Sequence, residues 1–132
     1  YRAPRGAISI DIPEDLKLLT APTALETVLK NLLDNALKYS DEPAGVVLTA
    51  REGEGRVHFS VTDQGIGISQ VNLKLIFDRF YRVPDENVNT RRGTGLGLYV
   101  VSSLVKTLGG RLTALSDGPG KGTTMQFALP MR

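Results

Sequence analysis

The chain has 132 residues, of which 41% are hydrophobic and 23% charged, with a formal net charge of +2. This length and composition predict one globular domain, residues 1–132, with a hydrophobic core. Cysteine is absent, which excludes disulfides and thiolate metal sites and fits a reducing compartment. The basic residues are scattered and no apolar run approaches the roughly 18 residues of a membrane span. We therefore expect a cytoplasmic domain that contacts neither nucleic acid nor a membrane directly.

The first half of the chain predicts strands around one long helix. Apolar residues recur at helix spacing from Leu25 to Leu37, and Pro22 suits the first turn of that helix. Four segments carry strand patterns, namely ISIDI (8–12), LKLLT (16–20), GVVLTAR (45–51) and RVHFSVTD (56–63). The last two are separated by a short glycine-containing turn, which indicates a hairpin.

The second half predicts a glycine-rich loop, a second long helix and another hairpin. The segments in chain order are the loop QGIGIS (64–69), a short amphipathic helix with an aromatic tail (71–82), a polar loop (83–92), a helix (96–108) that ends at Gly109–Gly110, and strands at 111–116 and 123–130. Long helices separated by strand pairs predict an α/β fold. We expect a two-layer sandwich in which helices cover one face of a mixed β-sheet.

A polar stripe lies beside the apolar face of the first long helix. Asn31, Asn35 and Lys38 are spaced i, i+4, i+7 and therefore share one side of the helix. An asparagine carbonyl oxygen is a hard ligand suited to Mg²⁺, and a lysine can neutralise a phosphate. The stripe is thus either a site for a charged ligand or a solvated helix face.

Two glycine-rich segments suggest sites for a flat ligand and for phosphate. In DQGIGI (63–68), Asp63 follows a strand and could accept a hydrogen bond from an exocyclic amine such as that of adenine. In GTGLGL (93–98), glycines precede a helix whose free N–H groups could bind phosphate. The alternatives are a tight connection at the first segment and a flexible joint at the second.

These segments together resemble a known family. NLLDNALKYS, DQGIGI, IFDRFYR, GTGLGL and GKGTTMQF stand in the order of the N, G1, F, G2 and G3 boxes of the histidine-kinase catalytic and ATP-binding domain. That domain is a member of the GHKL ATPase superfamily and has a Bergerat-type ATP-binding fold. The resemblance spans nearly the whole chain, and the F box together with the GLGL sequence favours histidine kinases within the superfamily.

The resemblance implies a role for each matching residue. It implies that Asp63 accepts the adenine amino hydrogen. In the N box, it implies that Asn31 holds Mg²⁺ bridging the ATP phosphates, that Asn35 contacts the phosphates or the same ion, and that Lys38 contacts phosphate. These three N-box residues are the expected catalytic residues. Residues 83–97 would be a lid over ATP. The remaining expected ATP-binding residues are Tyr39, Gly65, Gly67, Ile68, Phe80, Arg82, Gly93, Thr94, Gly95, Leu96, Gly97, Leu98 and Thr123.

The implied activity is transfer of the ATP γ-phosphate to a histidine on a separate dimerisation domain of the same parent protein, for relay to a response regulator. The only histidine of this chain, His58, lies in a predicted strand without a following acidic residue and is expected to be an ordinary sheet residue. We therefore expect a fragment of a sensor kinase that binds ATP without phosphorylating itself. Residues 1–6 would be a linker remnant, and segments preceding it could anchor the parent in a membrane.

Two alternatives belong to other functional classes. A GHKL anti-sigma factor, which binds a transcription factor and phosphorylates a serine, would fit the short single-domain length. A catalytically silent nucleotide-binding module would fit the fold, but the presence of Asn31, Asn35, Asp63 and the glycines argues against it.

Overall fold

The computed structural model describes residues 8–16, 18, 20–39, 45–73, 75–77 and 97–131. Its strands are β1 (Ile8–Asp11), β2 (Val46–Gly53), β3 (Arg56–Asp63), β4 (Thr113–Leu115) and β5 (Thr123–Pro130). Its helices are α1 (Pro22–Tyr39), α2 (Gln70–Leu73) and α3 (Gly97–Thr107). Within the described residues, the strands form one sheet in the order β1–β2–β3–β5–β4, with β1 parallel to β2 and the other neighbours antiparallel. The predicted mixed sheet is confirmed.

One face of the sheet is apolar and is covered by α1 and α3. Alternate residues of the three central strands point into a single core that also contains Val28 and Leu32 of α1 and Val101 and Val105 of α3. Each fully buried aliphatic side chain contributes about 1.5–3 kcal/mol relative to exposure. The sheet residues of this core are Val46, Leu48, Ala50, Val57, Phe59, Val61, Phe127 and Leu129.

The opposite face of the sheet carries the intervening polar residues. Thr49 and Ser60 form a hydroxyl–hydroxyl bond across β2 and β3, and Thr62 and Thr124 form another of 3.0 Å across β3 and β5. His58 lies on this face, where its Nε2 is 3.1 Å from the carbonyl oxygen of Gly53. The predicted two-layer architecture, with helices on one face only, is confirmed for the described residues.

The two long helices begin and end close to the predicted positions. Pro22 is the first residue of α1, as its missing N–H group allows. At the end of α3, the N–H of Gly110 donates to the carbonyl of Val105 at 2.9 Å, and the N–H of Gly109 donates to that of Lys106 at 3.0 Å. Gly109 has a φ of 95°, which completes a Schellman motif. The predicted helix stop is confirmed.

Two predicted elements differ from the structure. The strand prediction for LKLLT (16–20) is wrong, since the described residues of this segment are in no strand. Leu16 and Leu18 instead pack partly buried against the core, and the N–H of Leu16 donates to the carbonyl of Pro13 at 3.2 Å. The short helix predicted within 71–82 spans Gln70–Leu73 and is followed by a turn at residues 75–77.

The register of β3 against β5 positions the candidate site. It places Asp63, the last residue of β3, opposite Thr123, the first residue of β5. Both residues lie on the helix-covered side of the sheet. None of the described helices is long and apolar enough to cross a membrane.

Candidate functional site

Asp63 is the buried acid of this site. Its side chain is 9% exposed, and its Oδ1 accepts hydrogen bonds from the N–H of Gly65 at 2.9 Å and the N–H of Thr123 at 3.2 Å. Thr123 is 8% exposed. Two backbone donors from different segments fix the orientation of the carboxylate. A carboxylate held in this way is an acceptor of defined direction at a strand end.

Two glycine-containing loops meet beside Asp63. We call residues 64–69 the first glycine loop and residues 116–122 the second. The N–H of Gly120 donates to the carbonyl of Ile66 at 2.7 Å, and the N–H of Gly122 donates to that of Gly65 at 3.2 Å. The two loops therefore form one layer of backbone next to the buried acid, although about fifty residues of chain separate them.

Glycine is required at two places in this layer. Gly67 has a φ of 70°, and a Cβ atom there would lie 2.1 Å from the carbonyl oxygen of Gly118. Gly122 has a φ of 74°, and its Cβ would lie 2.3 Å from the carbonyl oxygen of Asp63. Left-handed backbone and a close approach thus coincide at both positions, so any other residue would push the two loops apart.

The polar stripe of α1 is present as a helix face. Asn31 is exposed, and its Nδ2 donates to the carbonyl of Thr27 at 2.7 Å, which leaves its Oδ1 as the group that can face a cation. Asn35 lies one turn further along and is half-buried. Lys38 and Tyr39 occupy the last turn of α1, and their side chains lie outside the described part of the structure.

The other predicted site residues divide into two groups. Gly97 begins α3, Leu98 packs against the hydrophobic core, and Ile68 is half-buried at the end of the first glycine loop. Phe77, which lies in the segment IFDRFYR, also packs against the core. Predictions that lie outside the described residues are the linker 1–6, the lid 83–97 apart from its last residue, and the site residues Phe80, Arg82, Gly93, Thr94, Gly95 and Leu96.

Sequence reasoning missed Ser116. Its hydroxyl accepts a hydrogen bond from the N–H of Ile68 at 3.0 Å and donates to the carbonyl of Gly122 at 2.7 Å, so it connects both glycine loops. Its own carbonyl accepts a bond of 3.2 Å from Nε2 of Gln70. The available signal was a serine two residues before the first of three glycines that are themselves spaced two residues apart, which is typical of a folded-back turn.

The comparison with family models identifies the chain. A model described as the histidine kinase-, DNA gyrase B- and HSP90-like ATPase family matches residues 20–132. The chain belongs to this family. Its matched residues include α1, both glycine loops and α3, so the family assignment covers every described part of the candidate site.

Curated relatives and solved structures narrow the assignment. The chain is 43% identical to the sensor histidine kinase WalK of Bacillus subtilis over 107 residues, and 37% identical to the sensor protein KdpD of Clostridium acetobutylicum over 124 residues. These matches take in 80% and 93% of the chain but only 17% and 14% of the two relatives. The chain thus spans less than one fifth of the length of either of these two relatives.

The fold agrees with that of histidine-kinase structures. The mycobacterial sensor histidine kinase MprB superimposes with a TM-score of 0.77 at 28% identity, over 97% of this chain and 85% of that one. Full-length ShkA, solved in complex with AMPPNP, gives a TM-score of 0.77 at 34% identity, over 93% of this chain and 25% of ShkA. The chain is therefore an ATP-binding catalytic domain of the histidine-kinase type, as its boxes implied.

Proposed function

We propose that this domain binds ATP with its adenine against Asp63 and its phosphates along α1, and donates the γ-phosphate to a histidine of a separate dimerisation domain of the same parent protein. A response regulator would then receive the phosphoryl group. The single observation that carries the site is the buried Asp63 carboxylate, oriented by two backbone donors next to two interlocked glycine loops. The names of the relatives, which are sensor kinases, support the reaction.

Adenine recognition follows from the chemistry of Asp63. An ionised carboxylate only accepts hydrogen bonds, so it pairs with the exocyclic amine of adenine but faces a carbonyl in guanine. A buried acceptor left without a donor costs about 1–3 kcal/mol, which is enough to select between the two bases. The hydroxyl of Thr123, directly opposite Asp63, would bind the base through water. The backbone of Gly65, Gly67 and Ile68 would shape the slot.

Phosphate binding is assigned to the stripe on α1. Asn31 offers an amide oxygen, since its nitrogen is already bonded to the helix, and oxygen is the ligand type that Mg²⁺ takes in protein sites. The residues present therefore fit the ion, with Asn31 holding it and Asn35 and Lys38 contacting the phosphates. When bound, Mg²⁺ would neutralise charge on the phosphates.

The N-terminus of α3 would complete the phosphate site. Gly97 is its first residue, and the free N–H groups of an 11-residue helix favour an anion at that end. The lid, residues 83–97, would close over ATP and exclude water. The predictions for Phe80, Arg82, Gly93, Thr94, Gly95 and Leu96 belong to this part of the proposal. Leu98 would act through its backbone, since its side chain packs against the core.

Calorimetric titration of the chain tests nucleotide binding. We expect saturable binding of a non-hydrolysable ATP analogue that Mg²⁺ strengthens, and at least ~10-fold weaker binding of the guanine analogue, since one lost buried hydrogen bond is worth about 1.4 kcal/mol. Equal affinity for the two bases would overturn the assignment of Asp63. No binding by a chain shown to be folded would instead favour the silent interaction module.

A phosphotransfer assay tests whether the residue that accepts the phosphoryl group is a histidine. The dimerisation domain of the parent protein is added to the chain with γ-labelled ATP, alongside a variant of that domain whose acceptor histidine is replaced. Label on the histidine is lost in acid and retained in alkali, whereas phosphoserine survives acid. Acid-labile transfer that requires the histidine supports the proposal, and acid-stable label on a serine would support the anti-sigma-factor alternative.

A further inference from the structure

Ser116 is the first residue of the second glycine loop, directly after β4, and its hydroxyl contacts the backbone of Ile68, Gly118 and Gly122. We propose that Ser116 is a positioning residue whose hydrogen bonds hold the two glycine loops together and so preform the adenine slot beside Asp63. We call this set of hydrogen bonds the clasp. This inference rests on the proposed function, because the slot is defined by the adenine assignment. Ser116 itself would not contact the nucleotide. It acts by holding the loops that do.

The hydrogen bonds of the hydroxyl use its full capacity. Its Oγ accepts from the N–H of Ile68 at 3.0 Å and from the N–H of Gly118 at 3.2 Å. Its single proton has two carbonyls within reach, that of Gly122 at 2.7 Å and that of Gly118 at 3.3 Å, and the shorter contact is the better bond. One donated and two accepted bonds are all that a serine hydroxyl can make.

These bonds connect both ends of the slot. Ile68 lies near the end of the first glycine loop. Gly122 directly precedes Thr123, whose N–H donates to Asp63. Besides the clasp, two backbone bonds join the loops, from Gly120 to Ile66 and from Gly122 to Gly65. The clasp is therefore a second side-chain connection between the two segments, in addition to the Asp63 carboxylate, which accepts from both Gly65 and Thr123.

Loss of the hydroxyl would leave the N–H of Ile68 and the carbonyl of Gly122 without this partner and would let the loops separate. The nucleotide would then have to order the loops as it binds, which weakens its affinity without any change in the groups that touch it. We expect Ser116→Ala to bind ATP about 5–20-fold more weakly than the unmodified chain. Ser116→Thr keeps the hydroxyl and is expected to restore binding to within about twofold.

Calorimetric titration with an ATP analogue, combined with thermal unfolding, tests the clasp. The variants are Ser116→Ala, Ser116→Cys, which keeps the volume but is a weak hydrogen-bonding group, and Ser116→Thr. Ser103→Ala on the exposed side of α3 is the matched control and should bind like the unmodified chain. Weakened binding by the alanine and cysteine variants, at temperatures where both are folded, with recovery in the threonine variant supports the clasp.

The failures are distinguishable. If the unmodified chain binds ATP and Ser116→Ala binds equally well, the clasp is overturned and the proposed function stands. If the unmodified folded chain does not bind, both are overturned. If Ser116→Ala does not fold, the cysteine and threonine variants decide. A lowered unfolding temperature with unchanged affinity in the cysteine variant would show that Ser116 only stabilises the fold.

Discussion

Thr123 and Asp63 face each other across β5 and β3, and the backbone N–H of Thr123 donates to the Asp63 carboxylate at 3.2 Å. A strand partner therefore orients the acid together with the N–H of Gly65 in the first glycine loop. Strand register is difficult to shift because a slip of one residue would exchange the buried and exposed faces of β5. The direction of the Asp63 carboxylate is thus built into the sheet.

This arrangement predicts that Asp63→Asn folds but loses adenine recognition. An asparagine keeps one oxygen that can accept from Gly65 and Thr123, but its other group becomes a donor and repels the adenine amine. We expect an ATP affinity at least ~10-fold lower, with an unfolding temperature close to that of the unmodified chain. Asp63→Ala should lower both the ATP affinity and the unfolding temperature. Its two buried N–H groups, those of Gly65 and Thr123, would lack a partner at a cost of about 1–3 kcal/mol each.

Calorimetry and thermal unfolding of both variants check this prediction. Asp15 is an exposed acid outside the site, so Asp15→Asn is the control for the change in net charge. Retained binding of the adenine nucleotide by Asp63→Asn would show that the base lies elsewhere.

Asn31→Ala should separate metal-dependent binding from stability. The side chain is exposed and its described hydrogen bond is to its own helix, and alanine is the better helix former, so we expect a change in unfolding free energy within about 0.5 kcal/mol. Binding of ATP with Mg²⁺ should fall at least ~10-fold, because the ion loses a protein oxygen. Titrations with ATP and Mg²⁺, and with ADP and chelator, measure the two affinities. Equal losses in both titrations would contradict a metal-binding role.

Gly67 and Gly120 form a matched pair for testing the close contact of the loops. Both have left-handed backbone, with φ of 70° and 79°, but a Cβ at Gly67 would collide with the carbonyl of Gly118 whereas one at Gly120 meets nothing within 4 Å. We expect Gly120→Ala to cost about 1 kcal/mol and Gly67→Ala at least ~2 kcal/mol more, with weaker nucleotide binding. Denaturant unfolding measures both costs. Similar costs would mean that the loops separate freely.

Glu26 should titrate at lower pH in the presence of Lys30. A hydrogen bond from Lys30 and, next, the charge of that ammonium group lower the pKa of Glu26 from its ordinary value of 4.5, through an ion pair of 2.9 Å. A carboxyl group whose pKa is lowered by folding stabilises the folded state at pH values above its unfolded-state pKa. This stabilisation is lost as the pH falls through the folded-state pKa. In Lys30→Ala, we expect the pKa of Glu26 to rise towards 4.5. Titration of the Glu26 carboxyl carbon by NMR measures it, with Lys106→Ala as a control, and an unchanged pKa would exclude the ion pair in solution.

The fold was predictable wherever burial and hydrogen bonding produce the same pattern. In α1 the helical spacing of apolar residues matches the buried set, and in β2 and β3 the alternation matches the two faces of the sheet. The segment LKLLT is also rich in leucine, but Leu16 and Leu18 are only partly buried against the core, and the described residues of the segment belong to no strand. The spacing of apolar residues indicates which side chains are buried. It does not indicate whether the backbone is hydrogen-bonded to a neighbouring strand.

The site was predictable to the extent that its motifs are local. The glycine loops and Asp63 could be found from short segments and their order. Ser116 could not, because its importance arises from contacts with Ile68, which is 48 positions away in the chain. Only the antiparallel pairing of β5 with both β3 and β4 brings the two loops together. Long-range hydrogen bonds of this kind leave no periodic signal in a sequence.

The position of His58 has a practical consequence for assays. It lies on the polar face of the sheet, whereas Asp63, two residues beyond the neighbouring buried Val61, belongs to the helix-covered face. The sheet itself thus separates the one histidine of the chain from the proposed nucleotide site. Under the proposed function, this chain would not phosphorylate its own His58, because the sheet lies between that side chain and the nucleotide. It would then serve as a phosphoryl donor against which acceptor domains are compared by their labelling.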